Sequence, residues 1–382
     1  MKIKRSLTLP KQSFFLLGPR GTGKSSWLKE SLPQAHVFDL LDEAIYQKFL
    51  GAPTLFSAEL GGVPDSRWVV IDEIQRLPNL LNEVHRAIEN QGRRFALCGS
   101  SARKLRRAGV NLLGGRALQR RMHPFTPNEL GDAFDIDEAL QYGLLPVVRG
   151  SVDKSGTLAS YAQLYLKEEI QGEAVVRNLP GFARFLPIAA LLNSQVLNVS
   201  NIARDVGVAR ATVNGYLEIL VDTLLCFRLS AYEAKLRIRE RRHPKWYWCD
   251  PGVVRAMKGQ IGPIAMEERG SLFEGLVAQV IRASMDYYSA ADHVHYWAPT
   301  EAAELEVDFL LTRGSRHVAV EVKSGPRPSS AWVKGLKAIH GLPGLKRRLV
   351  VYPKGPPLAL GDGIEGISLM QFSQWLREGS LF

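Results

Sequence analysis

The chain contains, near its start, a run of residues whose spacing suits the binding of a nucleoside triphosphate. The run reads Gly18-Pro19-Arg20-Gly21-Thr22-Gly23-Lys24-Ser25 and fits the phosphate-loop pattern G-x-x-x-x-G-K-[ST]. Its glycines let backbone amides turn toward a phosphate, and the N-terminus of a following helix adds positive potential. Lys24 is expected to reach the β- and γ-phosphates, the Ser25 hydroxyl to hold Mg²⁺, and Ser26 to complete the binding set. The sequence therefore predicts a site for ATP or GTP.

Two carboxylates at the end of an apolar strand supply the acids that hydrolysis needs. The run Trp68-Val69-Val70-Ile71 leads directly into Asp72 and Glu73. Asp72 is placed to hold the Mg²⁺ shell, and Glu73 to orient and activate the attacking water. A strand followed by solvated acids is the alternative, but the phosphate loop upstream favours the catalytic role. Ser100, at the end of the next apolar run, is expected to sense the γ-phosphate, or else simply begins a loop.

A second set of carboxylates lies on a predicted hairpin near the C-terminus. Period-two alternation flanks Arg313-Gly314-Ser315-Arg316, which has the glycine of a type II′ turn at its first central position. Counting outward from Arg313 opposite Arg316 places Asp308 opposite Glu321. Directly opposed carboxylates would sit roughly 5 Å apart at Cβ, which is destabilising unless a cation lies between them.

A third carboxylate is expected to join this pair. Glu274 lies on a predicted helix, 272–283, among apolar residues where a lone carboxylate is costly. Oxygen ligands of this kind suit a divalent metal. The predicted metal ligands are therefore Glu274, Asp308 and Glu321.

The elements that must position these residues follow an alternating pattern in the first 130 residues. The candidate strands there are Phe14–Gly18, His36–Leu40, Trp68–Asp72, Phe95–Gly99 and Leu118–Pro124. Helical segments separate them, which predicts a parallel sheet with helices on both faces. The pattern then becomes helical, for example over Tyr161–Val176, and strands return from Lys245 onward.

Residues 199–245 resemble a helix-turn-helix unit followed by a basic wing. Gly207 marks the turn, Ser200 is expected to cap the first helix, and the second helix would present Arg210, Thr212 and Asn214 to a DNA groove. The basic residues expected to contact phosphates downstream are Lys235, Arg237, Arg239, Arg241, Arg242 and Lys245. A lid, or a winged helix that docks protein, with a solvated basic face is the alternative.

The composition limits the classes of protein and of binding partner that remain possible. A net charge of +11 and a pI near 9.6 favour an anionic partner, with nucleic acid ahead of a membrane surface. The three cysteines, Cys98, Cys226 and Cys249, lack C-x-x-C spacing, which fits a reducing cytoplasm. No signal peptide or membrane-spanning segment is apparent, so we expect a cytoplasmic protein without a membrane partner.

Arg116, in Gly114-Gly115-Arg116, is a candidate for an arginine finger supplied to a neighbouring subunit's nucleotide. Such a charge stabilises the transition state of phosphoryl transfer. Arg116 is also one of nine basic residues between Arg93 and Arg121, so a solvated or DNA-facing charge is the alternative.

The phosphate loop, the run Ile71-Asp72-Glu73-Ile74-Gln75-Arg76-Leu77-Pro78 and the segment at Arg116 together resemble prokaryotic AAA-type ATPases related to archaeal-type ATPases. Those proteins carry a C-terminal domain of unknown function, number 4143. The similarity extends to residues 165–170, to 245–252 and to the C-terminal motifs, and so covers nearly the whole chain. It implies a P-loop core with a winged-helix and nuclease-like appendage.

The C-terminal acids also resemble the PD-(D/E)XK nuclease fold. In that fold the acids bind Mg²⁺, and a lysine, here Lys323 of Glu-x-Lys, helps to activate water or stabilises the phosphorane charge. The usual Pro-Asp pair reads Val307-Asp308 in this chain. A nuclease-like fold kept for DNA binding or assembly, without cleavage, is the alternative.

These observations predict an α/β protein in three parts. They are an AAA-type P-loop core (1–130), a helical lid and winged-helix region (131–245) and a PD-(D/E)XK nuclease-like domain (246–382). The expected function is ATP hydrolysis coupled to the processing or remodelling of duplex or branched DNA, with Mg²⁺-dependent cleavage left open. We expect a homo-oligomer, such as a hexamer, because neighbouring subunits would complete the ATP site. The alternative is a nucleotide-switched regulatory or assembly ATPase with an inactive nuclease-like domain.

Overall fold

The computed structural model describes residues 3–101, 113–164, 178–232, 243–299, 305–325 and 329–382. They form two compact units. The first, called the nucleotide unit below, comprises Arg5–His123 and Ile219–Leu225. The second, called the C-terminal unit, comprises Met1–Lys4, Pro124–Glu218 and Cys226–Phe382. The predicted boundaries near 130 and 245 stay predictions.

The nucleotide unit is a five-stranded sheet with helices on both faces. Its elements are β1 (Phe14–Leu17), α1 (Lys24–Ser31), β2 (His36–Asp39), α2 (Glu43–Gly51), α3 (Thr54–Gly61), β3 (Val69–Asp72), α4 (Leu80–Gln91), β4 (Phe95–Gly99) and β5 (Leu118–Arg121). The strand order is β2-β3-β4-β1-β5, and every pairing is parallel. The predicted parallel sheet is confirmed. The strands differ from the prediction by a few residues at their ends.

The sheet is apolar because helices cover both of its faces. Phe15 and its neighbours on one face pack with residues of α2, α3 and α4, including Phe49 and Phe56. On the other face Phe14 meets Trp27 of α1 edge-on, with ring centroids 6.4 Å apart. Because parallel strands share one carboxyl edge, the loops after β1, β3 and β4 meet there.

The C-terminal unit begins with helices and a small sheet. These elements are α5 (Pro127–Leu130), α6 (Ile136–Tyr142), α7 (Pro146–Arg149), α8 (Lys154–Leu164), α9 (Leu179–Leu191), β6 (Gln195–Val196), α10 (Val199–Val206), α11 (Arg210–Asp222, whose last residues belong to the nucleotide unit), β7 (Cys226–Leu229), β8 (Lys245–Trp248) and α12 (Pro251–Lys258). Strand β8 is central in the small sheet and pairs antiparallel with β6 and β7.

A six-stranded sheet and one long helix complete this unit. The elements are α13 (Met266–Tyr288), β9 (His293–Trp297), β10 (Val307–Arg313), β11 (Arg316–Val322), α14 (Lys334–Ala338), β12 (Leu345–Tyr352), β13 (Leu358–Ala359), β14 (Ile364–Ser368) and α15 (Leu369–Glu378). The sheet order is β13-β14-β12-β11-β10-β9. Arg313 pairs with Arg316, and Gly314 alone of the two turn residues has positive φ (56°), so the predicted hairpin register and turn are confirmed.

Two local predictions need correction or fall outside the described residues. Ser200 was expected to cap α10, but it lies inside the helix, and the cap is Asn198, whose side chain accepts from Ser200 N and Asn201 N at 3.1 Å. Asn and Ser cap helices equally well, so composition does not decide between them. The helix expected over 161–176 is described only as far as Leu164. No helix of the described ranges is both long and apolar enough to cross a membrane.

Candidate functional site

The phosphate loop connects β1 to α1 and owes its shape to three glycines. Gly21 and Gly23 have φ of 77° and 83°, a left-handed conformation that glycine adopts without steric cost. A Cβ on Gly18 would lie 2.3 Å from the carbonyl oxygen of Met122, so no larger residue fits there. Thr22 Oγ1 donates to Pro19 O at 2.8 Å and ties the loop to itself. The glycines of the motif therefore occupy positions where a larger residue would be strained or would not fit.

Lys24 is buried at the first position of α1. Its amine donates to the backbone carbonyls of Gly18 at 2.7 Å and Pro19 at 3.1 Å. Both acceptors are uncharged, so a phosphate oxygen can replace them with a stronger, charge-assisted hydrogen bond. Arg20 is half-buried in the loop, and Ser26 is exposed on α1.

Asp72 and Ser25, the residues expected to hold magnesium, line the same cavity. Asp72 is the buried last residue of β3, and its Oδ1 accepts from Glu73 N at 3.1 Å. Ser25 and Asp72 both line a cavity of ≈110 Å³. Hydroxyl and carboxylate oxygens are ligands that Mg²⁺ prefers, so this pair fits the ion that accompanies ATP.

Glu73 occupies a left-handed backbone position, with φ of 56°. Such a conformation costs a non-glycine residue about 1–3 kcal/mol and concentrates at functional sites. Burial raises the pKa of the Glu73 carboxyl, while the charge of Lys24 opposes that rise. A carboxyl with a raised pKa at the end of β3 suits a general base.

Gln75, which sequence reasoning passed over, joins Glu73 to Ser100. Its side-chain amide nitrogen donates to Glu73 Oε2 and, at 3.1 Å, to Ser100 Oγ. Gly99 makes room for it, because a Cβ there would lie 2.4 Å from Gln75 Oε1. Gln75 lies within the Asp-Glu-Ile-Gln run of the sequence motif, but nothing in a single sequence gives its orientation. Its contacts make it a positioning residue for Glu73.

Arg116, the predicted finger, forms an ion pair within its own chain. Its Nε donates to Glu89 Oε1, and its Nη1 to Gly114 O at 3.3 Å. About a third of the Arg116 side chain is exposed, at 37%. The finger role requires this pair to open, and it stays a prediction.

The structure brings together the C-terminal carboxylates around a lysine that the sequence analysis assigned elsewhere. Lys245 Nζ lies 2.9 Å from Glu274 Oε1 and 3.1 Å from Asp308 Oδ1, and it also contacts Glu306 Oε1. Glu321 pairs instead with Lys323, at 2.6 Å. These six residues are called the carboxylate cluster below. Lys245 was expected to be a wing residue that contacts phosphates, and that prediction is wrong because its side chain is 3% exposed.

Burial dominates the electrostatics of the carboxylate cluster. It raises the pKa of Glu274 to about 7, helped by the charge of Asp308, and it raises the pKa of Glu321 well above its usual range. Burial alone would lower the pKa of Lys245, but the surrounding carboxylates outweigh it and hold that pKa well above its ordinary value. Lys245 is therefore a charged ammonium.

The carboxylate cluster does not fit the divalent metal that the nuclease resemblance implies. The ammonium of Lys245 lies where oxygens of Glu274, Glu306 and Asp308 converge. Across the ranges that the structure describes, no group of three or more His, Cys, Asp or Glu side chains is disposed to hold a metal ion.

The predicted DNA-reading positions are only partly within the described chain. Arg210 and Asn214 are exposed on α11, and Thr212 is half-buried. The predicted wing residues Lys235, Arg237, Arg239, Arg241 and Arg242 lie outside the described residues. The order β6-α10-α11-β7-β8 is a helix pair flanked by an antiparallel sheet.

Three family models match successive segments of the chain. Residues 10–131 match an AAA domain, residues 133–263 a domain of unknown function (DUF8612), and residues 269–372 a domain of unknown function (DUF4143). The N-terminal segment is thus similar to AAA domains. An AAA domain suggests ATPase activity and implies nucleotide binding. The resemblance to an AAA-type domain and to the domain of unknown function 4143 is confirmed. The resemblance to a nuclease fold is not confirmed.

Two mycobacterial proteins are similar along most of the chain. They are uncharacterized protein Mb2031c of Mycobacterium bovis and uncharacterized protein Rv2008c of Mycobacterium tuberculosis. Each is 25% identical over 362 residues, which is 92% of this chain and 79% of the relative.

Two solved structures align with most of the chain. Protein VC1899 from Vibrio cholerae is 12% identical, covering 96% of this chain and 98% of its own. Can2 from Sulfobacillus thermosulfidooxidans, in complex with cyclic tetra-adenylate, is 11% identical, covering 97% and 98%. Both TM-scores are 0.23, too low to support an argument.

Proposed function

We propose that this protein hydrolyses ATP and couples hydrolysis to the binding of duplex or branched DNA. The arrangement of Lys24, Asp72, Glu73 and Ser100 at one edge of the parallel sheet carries the first half of the proposal. The net charge of the chain and the helix pair α10–α11 support the second half, which is DNA binding.

Each of these residues of the nucleotide unit has its own role in the proposed hydrolysis of ATP. Lys24 leaves its two carbonyl acceptors and neutralises the β- and γ-phosphates. Ser25 and Asp72 would hold Mg²⁺, which would supply charge stabilisation to the phosphoryl group. Glu73 orients the attacking water and accepts its proton, with its carboxylate held by Gln75. Ser100 lies 3.5 Å from Glu73 Oε2 and links the γ-phosphate position to the base.

DNA binding is supported by charge and by exposed side chains. The chain carries a net charge of +11, and Arg210 and Asn214 are exposed on the second helix of the pair. The element order β6-α10-α11-β7-β8 supports a winged helix, whose second helix would enter a groove. We expect these contacts to be mainly with phosphates and therefore sensitive to salt.

A further part of the proposal is that neighbouring subunits share each ATP site. In a ring of subunits, such as a hexamer, Arg116 would exchange Glu89 for the γ-phosphate of a neighbour. Mixing Arg116→Ala with Lys24→Ala protein tests this, because trans-acting sites restore activity in mixed oligomers. Unrestored activity, with Arg116→Ala alone still active, contradicts it.

A nucleotide-switched regulatory or assembly ATPase is the second candidate. It is favoured by Lys245, which fills the carboxylate cluster and leaves the C-terminal unit without the metal chemistry of a nuclease. The two candidates differ in whether DNA changes the rate of ATP hydrolysis.

The deciding experiment measures ATP hydrolysis with single-stranded, duplex and four-way DNA at several salt concentrations. We expect stimulation by duplex or four-way DNA that falls steeply as salt rises. Arg210→Ala should weaken DNA stimulation, and Arg204→Ala, an exposed arginine on the first helix, is the matched control. Unchanged hydrolysis with every DNA would reject the DNA proposal and leave the ATPase standing.

A further inference from the structure

The position of Lys245 in the small sheet fixes its side chain toward the carboxylate cluster. Lys245 is the first residue of β8, and it pairs with Val196 of β6 on one side and Leu229 of β7 on the other. A residue held on both sides in a sheet cannot move without breaking two ladders. Tyr247, two residues along, points to the same face and donates to Glu274 Oε1 at 2.6 Å.

The ammonium of Lys245 uses its full donor capacity within the cluster. A lysine ammonium has three donors and no acceptor. Its contacts are one oxygen each of Glu274, Asp308 and Glu306. The second oxygen of Asp308 accepts from Val322 N at 2.8 Å, so a backbone amide also satisfies this carboxylate.

A divalent cation would need these same oxygens. Mg²⁺ requires near-octahedral oxygens at about 2.0–2.1 Å. The oxygens that converge from α13 and β10 surround the Lys245 nitrogen at hydrogen-bond distance. Two positive charges at that point would repel each other strongly in a buried setting. Occupation by lysine and occupation by metal are therefore mutually exclusive.

We infer that Lys245 is a built-in counter-ion that takes the place of a divalent cation in the carboxylate cluster, so that the C-terminal unit folds and works without a metal. The inference is independent of the ATPase and DNA proposals. It also gives the cluster a structural role, because the ammonium joins β8 to α13 and to the loop and strand at β10.

One feature of the carboxylate cluster indicates that a cation would bind there if Lys245 were removed. Glu321 Oε2 is buried and has no hydrogen-bond partner among the described residues. Four carboxylates, those of Glu274, Glu306, Asp308 and Glu321, share two lysines, so removing Lys245 leaves an excess of negative charge. A cation should then enter from solution.

The test compares thermal unfolding of the nucleotide-free full chain with and without millimolar Mn²⁺ or Mg²⁺. Wild type should show a shift below about 1 °C in the transition of the C-terminal unit. Lys245→Met should unfold at lower temperature without metal and recover roughly 5 °C with Mn²⁺, because a ligand that binds only the folded state stabilises it. Lys258→Met, which removes a buried lysine side chain that pairs with Glu268 outside the cluster, is the matched control. The double variant Lys245→Met with Asp308→Asn should lose the recovery.

Two results would overturn the inference. Stabilisation of wild type by Mn²⁺ that Glu321→Gln abolishes would show that metal binds beside Lys245. A folded Lys245→Met protein without a metal response would show that the lysine does not occupy a cation's place. If Lys245→Met does not fold, the wild-type arm, with Glu321→Gln, still decides between a metal site and its absence.

Discussion

Two buried lysines, Lys24 in the nucleotide unit and Lys245 in the C-terminal unit, each lie close to strand-borne carboxylates but have different partners. Lys24 donates to two neutral backbone carbonyls, those of Gly18 and Pro19. Lys245 contacts three carboxylates. The first set of bonds is exchangeable, because a neutral hydrogen bond contributes about 1 kcal/mol. The second is fixed, because breaking a buried ion pair costs about 3–5 kcal/mol.

The difference shows that a buried lysine near carboxylates can serve two different purposes. In the proposed function, the lysine of the phosphate loop is available to an incoming anion, and the carboxylates of Asp72 and Glu73 serve Mg²⁺ and water. In the carboxylate cluster the lysine itself neutralises the acids. The same residue types, carboxylates and a buried lysine, therefore suit the proposed ligand site in one unit and form a closed charge network in the other.

The largest effect is expected from Glu73→Gln. The amide cannot accept the proton of the attacking water, so kcat should fall about 10²–10⁴-fold while nucleotide affinity is retained. Steady-state hydrolysis and binding of a fluorescent ATP analogue measure the two quantities. Glu30→Gln, an exposed acid on α1, is the control. Full activity of Glu73→Gln would remove Glu73 as the base.

Replacing each lysine by methionine should separate the two sites. Lys24→Met should abolish ATP binding and change the free energy of unfolding by only about 1 kcal/mol, because it loses bonds to neutral acceptors. Lys245→Met should retain ATP binding and lose about 3–5 kcal/mol of stability, since it leaves buried carboxylates without their counter-ion. Urea unfolding of both variants checks this. Equal losses in the free energy of unfolding would contradict the difference described between the two lysines.

A smaller effect is expected from Gln75→Leu. The hydrogen bond from Gln75 lowers the pKa of Glu73, so its loss should raise that pKa further. Because the base must be ionised, the acid limb of the kcat–pH profile should move to higher pH, and kcat at pH 7 should fall about 10-fold. KM for ATP should change little. Gln47→Leu, on exposed α2, is the control. An unmoved acid limb would mean that Gln75 has no influence on the base.

Local patterns predicted the nucleotide unit well, because each of its signals is short-range. The glycines of the phosphate loop, the apolar strand before Asp72 and the alternation of strands and helices are all readable within a few residues. The hairpin that carries Asp308 and Glu321 was predictable for the same reason, since Gly314 fixes the turn and the turn fixes the register.

Long-range contacts were not predictable. Lys245 is separated by 63 residues from Asp308, and only the folded arrangement of β8 against α13 and β10 brings them together. In sequence Lys245 simply continues a basic run and resembles its neighbours. Gln75 shows the same limit on a smaller scale, because its link to Ser100 depends on how β3 and β4 end side by side.

The most direct test of this account counts bound Mn²⁺, which shares the oxygen preference of Mg²⁺, on the full wild-type chain by electron paramagnetic resonance. With a non-hydrolysable ATP analogue, the account predicts one tightly bound Mn²⁺ per chain, lost in Asp72→Asn. Without nucleotide it predicts no tightly bound Mn²⁺, because Lys245 fills the carboxylate cluster. Tight Mn²⁺ binding in the absence of nucleotide, lost in Glu321→Gln, would contradict it.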